Sequence, residues 1–104
     1  MIDPSQPAIE HVTLTAVLHA LSDATRLELV RRLGDGAEHP CSGFHGLGGI
    51  SVPTLSHHLR VLREAGITTT RIDGKHRFIA LRADDLEARF PGVISAVIDA
   101  APVS

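Results

Sequence analysis

The stretch from Ser51 to Gly66 constrains this chain more than any other. Ser51 offers a hydroxyl to the free amides of a first helical turn, Pro53 suits that turn, and Gly66 supplies a stop. Between them Leu55, Leu59 and Leu62 recur at helical spacing, flanked by Val52, His58 and Ala65. Pro53, His57, Arg60 and Glu64 fall on the opposite face, with Thr54 and Ser56 on its shoulders. The spacing predicts a helix over 51–65 with one face in a core and the other polar and short-chained. Directly after it, residues 67–72 and 75–81 are rich in Thr, Ile and Phe and flank Asp73-Gly74, a strong hairpin signal. Arg71, Lys75, His76 and Arg77 gather near the tip of that hairpin.

An apolar helix face needs partners, and the flanking sequence provides them. Ile9, Val12, Ala16, Val17, Ala20 and Leu21 predict a helix over 8–21. Ser22 is the expected cap of a second helix carrying Leu27, Val30 and Leu33, with Arg31 and Arg32 near its end and Gly34 as its stop. Six glycines lie in 34–50. Each costs a helix about 1 kcal/mol relative to Ala, so only one short helix is expected there, within 42–48. Residues 83–90 read as a short acidic helix. Pro91 opens a last helix with Val93, Ile94, Val97 and Ile98 on one stripe. Residues 1–7, with Pro4 and Pro7, read as a loose tail, and 8–101 as a single domain. A chain of 104 residues is one domain with a modest core. The fold class expected is mainly α with a two-stranded β-hairpin (α+β).

Charge is distributed unevenly along the chain. The formal net charge is −2, which argues against nonspecific coating of nucleic acid. Yet residues 51–82 hold six Arg/Lys against two Asp/Glu, while 1–50 hold three against six and 83–104 one against four. A basic segment between acidic ones is a localised electrostatic footprint. There is no Trp or Tyr, so a row of aromatics for base stacking is not available. The connection Gly48-Gly49-Ile50-Ser51 falls where a helix-turn-helix must bend sharply. Short polar side chains plus one arginine on the following helix suit the edges of bases in a major groove. A hairpin with cations at its tip suits the neighbouring phosphates. The order of elements is that of a winged helix-turn-helix.

Particular residues carry a resemblance to a known family. Leu21-Ser22-Asp23-Ala24-Thr25-Arg26-Leu27 resembles that family's helix start, and Thr54 through Ile67, reading TLSHHLRVLREAGI, resembles its recognition helix. Arg71 through Leu81 resembles its wing. The family is the ArsR/SmtB winged-helix repressors, and the resemblance covers about residues 10 to 99. It implies a homodimer built on the first and last helices, here through Val12, Val17, Val93, Ile94, Val97 and Ile98. It also implies double-stranded DNA as partner, with Ser51, Pro53, Thr54, Ser56, His57 and Arg60 on the recognition helix and Arg71, Lys75, His76 and Arg77 on the wing facing it. His58 matches the family histidine beside a core leucine, where packing is the expected role.

Many members of that family sense metals, and this chain departs from their patterns. The stretch 38–45 holds a single cysteine in place of a Cys-x-Cys. His39, Cys41 and His45 still form a set of nitrogen and sulfur ligands of the kind that suits Ni, Zn or Co. The opposing reading is a partly buried thiol beside loop histidines. At the family's second site Asp85 and Asp99 fall near two of four positions, Ala83 and Ala96 take the others, and no histidine lies in 77–104. His11 and His19, with a partner's Asp99, are a third option. No metal cofactor follows from the sequence with certainty.

The function expected is a DNA-binding transcriptional repressor acting as a homodimer on an inverted repeat. The alternative is a winged-helix module that docks on another protein and has lost DNA binding. No enzyme is expected: there is no nucleophile–base pair, and the glycines of 43–49 lack the Lys and Ser/Thr of a P-loop. One cysteine excludes an internal disulfide, Met1 to Glu10 lacks the features of a signal peptide, and no apolar run is long enough for a membrane span. A cytoplasmic location without membrane attachment is the expectation.

Overall fold

The computed structural model describes residues 1, 3 and 6–100. Pro4 of the expected tail and the expected domain end at 101 lie outside the described residues. Helices α1 (Leu14–Ala20), α2 (Ala24–Arg32), α3 (Val52–Glu64), α4 (Ala83–Arg89) and α5 (Val93–Asp99) surround one core, with strands β1 (His39–Pro40), β2 (Thr68–Asp73) and β3 (His76–Leu81) beside them. Leu55 and Leu62 of α3 are buried with Leu29, Val30 and Leu33, with Ile67 and Ile79 of the hairpin region, and with Leu86 and Ile94. Helix α3 begins and ends as its sequence demands. Ser51 accepts a hydrogen bond from the Thr54 amide at 3.3 Å, and Gly66 takes a left-handed φ of 86° just past the C-terminus.

The predicted 8–21 helix is divided. Ile9–His11 form a 3-10 turn, Val12 and Thr13 are extended, and α1 starts only at Leu14. Thr13 explains the break, because its hydroxyl accepts from the Ala16 amide at 3.2 Å and so caps a new helix. Extended Val12 then packs onto Gly66, where any Cβ would collide with it. The cap of α2 is Asp23 rather than Ser22. The Asp23 carboxylate accepts from the Arg26 amide at 3.0 Å, while the Ser22 hydroxyl donates to the His19 carbonyl at 2.6 Å. Past α2 the chain continues as a 3-10 turn over Leu33–Asp35 and stops at Gly36 instead of Gly34. Gly34 serves close packing: a Cβ there would lie 2.9 Å from Ile98 Cγ2 of α5. The single short helix expected in 42–48 is two 3-10 turns, Cys41–Phe44 and Leu47–Gly49, in keeping with the glycine content.

The sheet has three strands in the order β1-β3-β2, one more than expected. Strand β1 adds two pairs, His39 to Ile79 and Pro40 to Phe78; a two-residue strand has no alternation to read in sequence. The β2–β3 hairpin pairs Asp73 with His76 across Gly74-Lys75. Of these two turn residues Gly74 has positive φ, 59°, and Lys75 does not, the pattern of a II′ hairpin turn. The expected loose tail is anchored at its described residues. Met1 and Ile72 exchange backbone hydrogen bonds, the Asp3 amide donates to the Thr70 carbonyl at 2.9 Å, and Gln6 Oε1 accepts from the Thr70 amide at 3.0 Å. An unpaired strand edge needs such partners, and β2 has one free side to fill.

The residues expected at a dimer seam are largely spent within the chain. Val12, Val17 and Ile94 are 2%, 0% and 2% exposed and belong to the core; Val93, Val97 and Ile98 are half-buried against it. The large apolar side chains left in solvent on α1 are Leu14 and Leu18, at 41% and 51% exposure.

Gly66→Ala tests the junction on which α3 ends. Left-handed backbone costs a non-glycine residue about 1–2 kcal/mol, and overpacking Val12 adds about 1–3 kcal/mol. A loss of about 2–5 kcal/mol in denaturant unfolding is expected; a loss below about 1 kcal/mol would mean that Val12 is free to move aside.

Candidate nucleic-acid interface

The surface of α3 follows from its burial pattern. Leu55, Leu59 and Leu62 go into the core, leaving Ser51, Pro53, Thr54, Ser56, His57 and Arg60 exposed together. At the start of the helix Ser51 Oγ also donates to Thr54 Oγ1 at 3.0 Å. In its middle Arg60 Nη2 lies 3.3 Å from His57 Nδ1, where the guanidinium donates and the ring nitrogen accepts. Arg60 Nε lies 3.7 Å from the Glu64 carboxylate, and both side chains are more than half exposed. Such an exposed pair is weak, so Arg60 can be drawn to a stronger acceptor.

His58 is turned inward, as expected from its position beside the core leucines. Its side chain is 13% exposed. Arg26 Nη1 lies 3.1 Å from His58 Nδ1, and because arginine can only donate, Nδ1 accepts. Arg26 Nε also donates to the Ala20 carbonyl at 2.6 Å. The Asp23 carboxylate, 3.9 Å from His58, is held below the usual carboxylate range by the Arg26 amide and by the charges nearby. His58 is therefore a fastener between α2 and α3.

The wing residues divide into two groups. Lys75, His76 and Arg77 are exposed near the turn. Arg71 differs in being only partly exposed and in having two partners. It makes a two-pronged pair with Glu38 at 2.9 and 3.1 Å, and its guanidinium carbon lies 4.6 Å from the Phe78 ring centre. The pair holds the Glu38 carboxyl below its usual range. Arg71 thus ties the approach to β1 onto the hairpin, while Lys75, His76 and Arg77 carry the unshared positive charge near the turn.

The structure brings α3 and β3 together around a groove of about 380 Å³ lined by Pro53, Ser56, His57, Arg60, Arg63 and Arg77. Three guanidiniums meet there from two elements separated in sequence by the hairpin turn. Arg63 was not among the residues singled out from sequence. Continuing the spacing 53, 56, 57, 60 by one more step would have reached it. Its side chain is only 12% exposed and lies 3.5 Å from the Asp3 carboxylate. Planar, permanently charged guanidiniums beside a rigid helix suit phosphate oxygens and the guanine edge.

The candidate metal ligands are not assembled. Among the described residues no group of three His, Cys, Asp or Glu side chains is placed to hold a metal ion. His39 Nε2 is 2.9 Å from both carboxylate oxygens of Asp35 and its ring leans on Phe44. Cys41 is half-buried, and burial pushes its thiol up, against the pull of Arg77 and Arg63. A raised thiol is a poorer thiolate ligand. His45 is exposed at the end of its 3-10 turn. His39, Cys41 and His45 are therefore not brought together around one point.

A helix with a polar, arginine-bearing outer face, seated beside a cationic hairpin, defines a winged helix-turn-helix DNA-binding transcriptional regulator. A helix-turn-helix domain model matches residues 21–71. The chain is 35% identical over 82 residues to an uncharacterized HTH-type transcriptional regulator of Bacillus subtilis (strain 168), covering 78% of this chain and 82% of that one. It is 37% identical over 93 residues to a biofilm growth-associated repressor of Agrobacterium fabrum, covering 88% and 78%. It is also 37% identical over 68 residues to an arsenical resistance operon repressor of Staphylococcus aureus, covering 65% and 64%. The chain belongs to the ArsR family of winged helix-turn-helix regulators. Among the described residues no helix is long and apolar enough to cross a membrane.

The two wing arginines should separate in a binding experiment. Arg77→Ala is expected to weaken binding on every DNA sequence alike and to reduce the slope of log affinity against log salt by about 1. Arg71→Ala should leave DNA affinity within about twofold and lower stability only slightly, as for other exposed ion pairs. Fluorescence anisotropy across a salt series with labelled duplexes reads both; equal losses for the two variants would return Arg71 to the interface.

Proposed function

We propose that the protein is a repressor that binds an inverted-repeat operator as a homodimer. In this reading α3 lies in the major groove, and the wing, through Lys75, His76 and Arg77, takes the adjoining backbone. The observation that carries it is the groove in which Ser56, His57 and Arg60 of α3 meet Arg77 of β3, because one element can read bases while the other fixes register on phosphate. The names of the relatives from Agrobacterium and Staphylococcus support repression. Metal sensing through His39, Cys41 and His45 draws no support from their placement, which groups no three such side chains among the described residues.

The dimer places two copies of α3 about one helical turn of DNA apart. Its support within this chain is the pair Leu14 and Leu18, one turn apart on α1 and exposed in the single subunit. An apolar pair at this spacing forms a ridge suited to a second helix.

Operator recognition is tested by selecting duplexes from genomic DNA with the purified protein and measuring affinity for the best one. Arg60→Ala is expected to cost about 1–3 kcal/mol on that duplex and to relax preference at one position of each half-site. Unchanged affinity and preference would remove Arg60 from base reading, and failure to select any duplex would leave the docking of another protein as the better reading. Association is tested by sedimentation at micromolar concentration. Leu18→Asp should shift dimers to monomers with unchanged helical circular dichroism, because Leu18 is exposed within the single subunit and a charge in an apolar seam is costly. A monomeric wild type would refute the dimer.

A further inference from the structure

A second concavity, sharing no residue with the α3–β3 groove, encloses about 550 Å³ between α2, the 3-10 turn Leu47–Gly49 and α5. Its volume lies within the range of pockets that hold small organic molecules. Leu27, Leu47 and Val97 contribute apolar side chains to its walls, and Ala24, Ala96 and Ala100 keep it open. The polar part of the lining is almost all charge: Glu28, Arg31 and Arg32.

The charges do not cancel. The Glu28 carboxylate accepts from Arg31 Nε at 3.0 Å and Nη2 at 2.7 Å, and from Arg32 Nε at 2.9 Å. The hydrogen bonds from Arg31 and then Arg32 pull its carboxyl down to about 2, so it stays ionised at neutral pH. Two guanidiniums therefore share one carboxylate, leaving one positive charge beside an apolar cavity. A ligand that satisfies both features has a hydrocarbon or aryl body and a single anionic group.

We propose that this cavity binds a small organic monocarboxylate and that its occupancy is coupled to DNA binding. The coupling runs through Leu47 and Gly48, which wall the cavity and also lie in the turn just before Ser51, the cap of α3. A ligand packed against Leu47 changes the freedom of that turn, and with it the seating of α3. Linkage then requires that ligand and DNA alter each other's affinity by the same factor. The cavity itself stands independently of the operator reading, and the coupling rests on it.

Octanoate is a suitable probe and octanol its uncharged counterpart. Titration calorimetry of the protein without DNA should show one saturable octanoate site per chain, about tenfold tighter than octanol, as expected for one charge-assisted contact. Ala96→Phe, at an exposed position of α5, fills the cavity and should abolish binding of both. Arg32→Gln leaves Glu28 and Arg31 as a neutral pair and should bring octanoate down to the affinity of octanol. Absence of a saturable octanoate site, or binding indifferent to both variants, overturns the proposal. So does conversion of wild-type dimers to monomers by Ala96→Phe, which would show that a second copy occupies the cavity. With the selected operator, saturating octanoate should change affinity at least about fivefold for wild type and not for Ala96→Phe; no change in wild type overturns the coupling. Failure to bind DNA with or without octanoate would instead count against the operator reading, because the calorimetry contains no DNA.

Discussion

Arg26 joins the three elements on which the interface depends. Its side chain donates to the Ala20 carbonyl at the end of α1 and to His58 Nδ1 in the middle of α3, while its amide is capped by Asp23 at the start of α2. Apolar packing alone would let α3 slide or roll, since dispersion and hydrophobic burial have little directionality. A guanidinium with fixed donor directions does not permit that freedom. The leucine face of α3 supplies the burial, and the Arg26–His58 contact sets its rotation. Which side chains remain outside is then decided.

From that seating the remaining geometry follows. Gly66 ends α3 and accepts Val12, so the N-terminal segment is pinned against the start of the hairpin region. Arg89 donates to the Val12 carbonyl and Arg82 to the Pro7 carbonyl, which ties the same segment to α4 and its approach. Arg71 and Glu38 fasten β1's lead-in to β2. The hairpin is thus held at both its base and its flank, and Arg77 stands opposite Arg60 and Arg63 as a consequence of these attachments.

The part of the interface carried by α3 was legible, because Ser51, Pro53, Thr54, Ser56, His57 and Arg60 follow from the helical period once Leu55, Leu59 and Leu62 are assigned inward. The wing was legible as a hairpin through Asp73-Gly74 and its Thr- and Ile-rich strands. The fates of Arg71 and Arg77 were not, since both are arginines on adjacent strands of one hairpin. What separates them is Glu38, a residue 33 positions away in sequence from Arg71. Val12 and Val17 were legible as apolar and placed in helical register, yet their partners were not. Thr13 breaks the helix and turns Val12 onto Gly66, and the exposed ridge passes to Leu14 and Leu18. His39, Cys41 and His45 are close in sequence, but two 3-10 turns and a two-residue strand leave them unassembled.

The sequence by itself determined the class of the protein. Caps, stops, turn residues and the period of apolar positions are local signals, each read over a few residues, and together they order the helices, the hairpin and the basic segment. Only the tertiary structure decided which charges are free to meet a partner, that Met1, Asp3 and Gln6 bond to β2, that a third strand joins the sheet, and that an apolar cavity with one surplus positive charge lies between α2 and α5. These depend on pairings between residues tens of positions apart. Such pairings are set by packing and by hydrogen-bond geometry in three dimensions, for which the linear pattern carries no local mark.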